Sequence, residues 1–95
     1  MSHIRITKRH HLTHRKAKEA AEAVARDLHK RFGLAYEWDG DCVEFSRTGL
    51  AGKLHVLTDQ VRLDCKLGLV MSVFKPALEG AVHEEFDRYF GKPKD

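Results

Sequence analysis

Three histidines stand close together near the start of the chain, His10, His11 and His14, and the four-residue interval from His10 to His14 is one that imidazole ligands to a metal often use. They straddle a strand-to-helix junction, however, and no nearby Cys, Asp or Glu completes a tetrahedral set. They read as solvated or helix-start histidines, so neither a metal nor another cofactor is expected. Acid–base chemistry would draw on Asp39, Asp41, Glu44 and Asp64, with His55 near the second hairpin. None of these forms a recognised spacing, and acids on alternate strand positions are usually the wet face. The chain contains no GxSxG, Walker loop, GxGxxG or HExxH. No catalytic residue is assigned, and a non-enzymatic protein is expected.

Two stretches could bind rather than react. Arg5, Lys8, Arg9, Arg15, Lys16 and Lys18 gather into a basic N-terminal corner, of which Arg9, Arg15, Lys16 and Lys18 are the candidate contacts for something acidic. Residues 1–33 carry nine Lys/Arg against three acids, +6, and the rest carries eight against eleven, −3, which sums to the chain's +3. Nucleic acid is disfavoured as the partner, because Tyr36, Trp38 and Phe45 lie outside the corner and read as core rather than stacking platforms. The second stretch is LGLVMSVF, Leu67 to Phe74, apolar nearly all round. Either a curved sheet buries it, or it is an exposed strip for a protein partner, a homodimer mate or a hydrophobic particle. In the exposed case Leu69, Val70, Met71 and Phe74 are the contact residues.

These stretches need a scaffold, and 95 residues with 42% hydrophobic and 33% charged content suit a single globular domain spanning the whole chain. No apolar run approaches the roughly 20 residues of a spanning helix, and no secretory signal pattern is visible, so a cytoplasmic location is expected. Cys42 falls by strand parity with Glu44 on the polar face, whereas Cys65 follows Val61 and Leu63 on the apolar one. Two unpaired thiols are expected.

His3 to Arg9 alternates as a half-buried strand. Thr13 is a plausible helix N-cap with Leu12 as a staple, and Ala17, Ala20, Ala21, Val24, Ala25, Leu28 and Phe32 mark one face of a helix over His14 to Phe32, stopped by Gly33. Leu34 to Asp39 reads as the next strand, Gly40-Asp41 as a tight turn, and Val43 with Phe45 as a third. RTGLAG suits a hairpin with glycines 49 and 52, Leu54 and Val56 belong to a fourth strand, and Thr58–Gln60 turns into a fifth ending at Leu67. Leu69 to Phe90 has helical period interrupted by Pro76. A kinked but nearly continuous helix is favoured over a short first helix with Pro76 opening a second, and Gly91 to Asp95 is expected to fray. The result is an α+β domain, β-α-β-β-β-β-α, whose antiparallel meander carries two helices on one face in strand order 2-3-4-5-1, a small helix-grip-like arrangement.

The pattern I-x-I, H-x-L, an Ala-rich helix ending in FG, then GD-x-V-x-F-S-R-x-G-x-x-G-K-L-x-V and V-R-L-x-x-x-L-G resembles the polyhydroxyalkanoic acid system family. The carriers are Ile4, Ile6, His10 or His11, Leu12, Gly40, Asp41, Phe45, Ser46, Arg47, Gly49, Gly52, Val61, Leu63, Leu67 and Gly68. The resemblance implies a bacterial protein linked to polyhydroxyalkanoate storage polymer, at the granule surface or with granule proteins, and implies no catalytic residues. Granule contact would use the apolar strip, with the basic corner as electrostatic support. A second reading is a binder of acyl or hydroxyacyl chains held between sheet and long helix.

Overall fold

The computed structural model describes residues 2–91. Five strands, β1 (Ser2–Arg9), β2 (Ala35–Asp39), β3 (Cys42–Arg47), β4 (Leu50–Val56) and β5 (Gln60–Leu67), form one antiparallel sheet in the order β1-β5-β4-β3-β2. Helices α1 (His14–Phe32) and α2 (Lys75–Phe90) complete the α+β fold. The expected strand order is the observed one. A crossover through α1 carries the chain from one sheet edge to the other, and the meander then returns until β5 meets β1 in register, Ile4 opposite Cys65 and Ile6 opposite Leu63.

Period-two alternation sends one set of side chains toward the helices. Ile4, Val43, Leu54, Val56, Val61 and Leu67 are fully buried there against Val24 and Leu28 of α1 and Val82 and Phe86 of α2. Ala17, Ala21 and Ala25 are buried completely, and the short side chains let α1 lie close to the sheet. Thr13 Oγ1 accepts the Lys16 N–H at 3.2 Å, and Gly33, at φ +70°, donates its N–H to His29 O. Arg47 Nη1 then donates to Phe32 O, 2.6 Å, so the β3–β4 hairpin holds the end of α1.

Three local expectations change. Strand β4 starts at Leu50, not beyond Gly52. Only Gly49 (φ +84°) supplies the turn, while Gly52 sits inside the strand, where a Cβ would meet Asp64 O at 3.0 Å and Cys65 at 3.1 Å. Trp38 is half-buried rather than central, because β2 is an edge strand that α1 only partly covers. The last segment divides: a 3₁₀ turn over Met71–Phe74 precedes α2, with Pro76 in the first helical turn, where its missing N–H leaves no bond unmade. The kinked continuous helix is therefore replaced by the two-piece arrangement. The fraying expected from Gly91 onward lies, past Gly91, outside the described residues.

Candidate functional site

Leu67-Gly68 leaves the sheet beside the β3–β4 hairpin. The Gly68 N–H donates to Gly49 O at 2.8 Å, and Gly68 O accepts both the Ser72 N–H (2.9 Å) and the Ser72 hydroxyl (2.8 Å). This fixes the connection as a rigid knob. Met71 turns inward and its Cγ would lie 3.0 Å from a Cβ placed on Gly49, so it is only 7% exposed. The other side chains point out: Leu69 and Val70 are 80% exposed, Val73 74% and Phe74 47%. Of the apolar stretch, Leu67 and Met71 are buried while Leu69, Val70, Val73 and Phe74 are exposed, so among the four expected contacts Met71 is corrected: it anchors the knob. Val73 takes its place in the outward set.

The basic corner is less cationic than its sequence. Arg9 lies 3.7 Å from Asp59, Arg15 3.9 Å from Glu19, and Lys18 3.4 Å from Asp41 and over the Trp38 ring at 5.1 Å. Among the described residues Lys16 alone of these four has no ion pair. Arg5 and Lys8 belong to opposite sheet faces, paired with Asp64 (2.6 Å) and Asp87 (2.9 Å). The corner also sits at the start of α1, whereas the knob sits by its end. Nineteen residues at the helical rise put them roughly 28 Å apart. One flat contact cannot use both.

The histidine cluster also separates. His10 is buried, its Nδ1 accepts the Leu12 N–H at 3.2 Å and its Nε2 lies 3.1 Å from Leu57 O, which assigns the proton to Nε2. Its ring packs on Phe90, centroids 5.7 Å apart. His14 Nε2 lies 3.0 Å from Asp41 Oδ1, and the His14 contact holds the Asp41 carboxyl below its usual range. Among the described residues no three His, Cys, Asp or Glu side chains gather as metal ligands. Arg5 likewise pulls Asp64 down. Cys42 and Cys65 are unpaired and face opposite sides of the sheet; burial pushes the Cys65 thiol up to about 11.

Two polar clusters escaped the sequence reading. Glu22 accepts from Trp38 Nε1–H and Tyr36 O–H, both at 2.8 Å, and these bonds, Trp38 first, keep it ionised below the normal carboxylate range despite some burial. Between the helices Glu85 is 1% exposed, with no donor reaching its Oε1. Its Oε2 lies 3.8 Å from Arg31 and 4.0 Å from Arg88. Asp27, which accepts the Tyr89 hydroxyl at 2.9 Å, lies beside it. Burial, then the Asp27 contact, raises the Glu85 carboxyl to about 7, while the Glu85 contact, then Tyr89, lowers Asp27. The signal was present: Glu85 falls on the stripe Leu78, Ala81, Val82, Phe86.

The layer between sheet and helices is filled by Phe86, Leu54, Leu28, Val24 and Val82. An acyl chain held between sheet and long helix has no room there. A depression of about 670 Å³ lies on the opposite, helix-free face over Ala35, Ser46, Ala51 and Gly52, edged by Arg5, Lys53 and Lys66, and another of about 580 Å³ lies along α1 beside Trp38.

A family model described as "Putative polyhydroxyalkanoic acid system protein" (PHA_gran_rgn) matches residues 4–90. The chain belongs to this polyhydroxyalkanoic acid system family. It is also similar in fold to the NMR structure of PA4090 from Pseudomonas aeruginosa, with a TM-score of 0.62 at 12% identity, over 98% of this chain and 88% of that one. No curated protein matches it. The residues that carry the family pattern do architectural work in this member. His10 and Leu12 close the strand-to-helix turn, Asp41 ties the β2–β3 turn to α1, and Arg47 caps α1. Gly49 and Gly52 allow close approaches, and the Gly68 N–H ties the end of β5 to Gly49 O. The knob side chains Leu69, Val70, Val73 and Phe74 carry none of this architecture and are exposed. No helix among the described residues is long and apolar enough to cross a membrane.

Proposed function

We propose that this polyhydroxyalkanoic acid system protein is a non-catalytic binding protein of the cytoplasm that attaches to the apolar surface of polyhydroxyalkanoate granules. The observation that carries the reading is the knob of Leu69, Val70, Val73 and Phe74, four large apolar side chains within residues 69–74, exposed, and held by a locked turn. Removing them from water yields a gross gain on the order of 5 kcal/mol, from which the costs of association are subtracted. That suits reversible attachment. A polymer surface needs no shaped pocket, only projecting apolar groups that do not collapse, and the Gly68–Ser72 and Gly49–Met71 contacts prevent collapse.

Co-sedimentation with purified granules tests this. Leu69→Asp with Val73→Asp, its fold checked by circular dichroism, loses at least about tenfold in binding, since each buried apolar side chain contributes roughly 1.5 kcal/mol or more. Lys16→Glu, at the far end of α1, leaves binding unchanged. Wild-type binding by the folded double variant would overturn the assignment. Met71 is unsuited to such a test, because Met71→Asp would destabilise the knob itself.

A further inference from the structure

The depression on the helix-free face, about 670 Å³, has the size of a small-molecule site. The strand registers define its shape. One transverse row, Lys66, Ala51, Ser46 and Ala35 across β5, β4, β3 and β2, makes its floor, and the next row, Asp64, Lys53, Glu44 and Glu37, stands beside it as a wall. Charge is sorted along the hollow. Asp64 is already taken by Arg5 and Arg62, at 2.6 and 3.2 Å. The lining charges without an ion pair among the described residues are therefore Lys53 and Lys66 at the β4–β5 end, and Glu44 and Glu37 at the β3–β2 end. Between the two ends the floor offers the methyls of Ala51 and Ala35 and the hydroxyl of Ser46, all exposed.

A ligand that matches this layout is linear and narrow, with a carboxylate at one end, a hydrogen-bond donor at the other and a largely apolar body. Two strand spacings, roughly 10 Å, separate β4 from β2. At about 1.2 Å per backbone bond, a chain of about eight bonds spans that distance. We propose that the depression binds a short linear hydroxy-ester acid, its carboxylate between Lys53 and Lys66 and its terminal hydroxyl donating to Glu37 or Glu44. Ser46, midway on β3, donates to the ester carbonyl. The carboxylate end rests on the sheet face alone. The choice of a hydroxyl over an ammonium at the other end rests on the granule reading above, since such acids are the fragments that hydrolysis of the polymer releases. Lys66 stands two residues before Gly68, where the knob begins, so the hollow lies at the same end of the sheet as the knob. Its lysines are open to solvent, and ion pairs made there are weak and screened, so binding is in the range of a Kd of about 1 mM and falls with salt.

Amide NMR titration of the full chain with the linear dimer of 3-hydroxybutyrate tests this. Saturable shifts are expected at Ser46, Ala51 and Lys66, with a Kd of about 1 mM at roughly 20 mM salt. Lys53→Glu with Lys66→Glu weakens binding at least about tenfold, because two attractions become repulsions. Ala51→Tyr, at an exposed position that bears no charge, fills the hollow and abolishes saturation; should it fail to fold, Ser46→Tyr does the same from β3. Leu69→Asp with Val73→Asp leaves fragment binding intact, and Ala51→Tyr leaves granule co-sedimentation intact, so this proposal and the granule reading fail separately. Absence of saturation up to about 20 mM, twenty times the expected Kd, overturns the proposal. So do shifts confined to residues 69–74, a methyl ester that binds as tightly as the free acid, or tighter binding of triglycine, which would place an ammonium at the Glu37–Glu44 end.

Discussion

Glu85→Gln isolates the cost of the buried carboxyl between α1 and α2. In an unfolded chain Glu85 titrates near 4.5; in the folded protein burial and Asp27 hold its proton until about pH 7. Below 4.5 both states are protonated and Glu85 costs nothing. Between 4.5 and 7 the unfolded chain releases the proton while the folded one keeps it, so stability falls as pH rises. Above 7 the folded state carries a buried carboxylate, and the accumulated loss reaches on the order of 3 kcal/mol, at 1.4 kcal/mol per pH unit. Asp27, whose folded value is lowered, acts oppositely. Its contribution is full above its unfolded value and fades as pH falls through the folded one. Glutamine has nearly the same shape and stays neutral at every pH. Its amide can still donate to Asp27, though Arg31 and Arg88 lose a charge 3.8 and 4.0 Å away. Netting these, E85Q gains about 1–3 kcal/mol at pH 8 and less than about 0.5 at pH 4.5, a melting shift of roughly 5–20 °C at pH 8 for a domain of this size. Thermal and urea unfolding at both pH values measure it. An equal shift at the two pH values, or destabilisation at pH 8, would refute the reasoning.

His10→Ala removes the acceptor for Leu12 N–H, the partner of Leu57 O and the ring against Phe90, and costs about 2–4 kcal/mol by urea unfolding. A loss below about 0.5 kcal/mol would mean that the turn does not depend on the ring. Gly52→Ala places a methyl against Asp64 O and Cys65, 3.0 and 3.1 Å away, and costs about 1–3 kcal/mol by the same assay, whereas a neutral result would show that β5 can shift.

Much of the scaffold was legible because its signals are local. The alanine stripe with Thr13 and Gly33 placed α1 at His14–Phe32, and strict alternation with turn residues placed the meander, its order and the opposite facing of Cys42 and Cys65. The misreadings are of one kind. Gly52 looked like a turn glycine because a close backbone approach from β5 leaves no mark in the residues beside it. Trp38 looked central because its edge position depends on how far α1 reaches. Met71 was grouped with Leu69 and Val70 because the switch to a 3₁₀ turn depends on Gly68 meeting Gly49 across the sheet end.

The binding surfaces follow the same division. Composition and period alone determined that residues 67–74 form an apolar stretch and that cations crowd the first third of the chain. Only the tertiary structure decided that Leu69, Val70, Val73 and Phe74 face water, and that Arg9, Arg15 and Lys18 are offset by Asp59, Glu19 and Asp41. Helix and strand periods depend on neighbours a few residues apart, so sequence order preserves them. Exposure and ion pairing depend on groups that the antiparallel registers bring together from distant parts of the chain, as Arg5 meets Asp64 fifty-nine residues on.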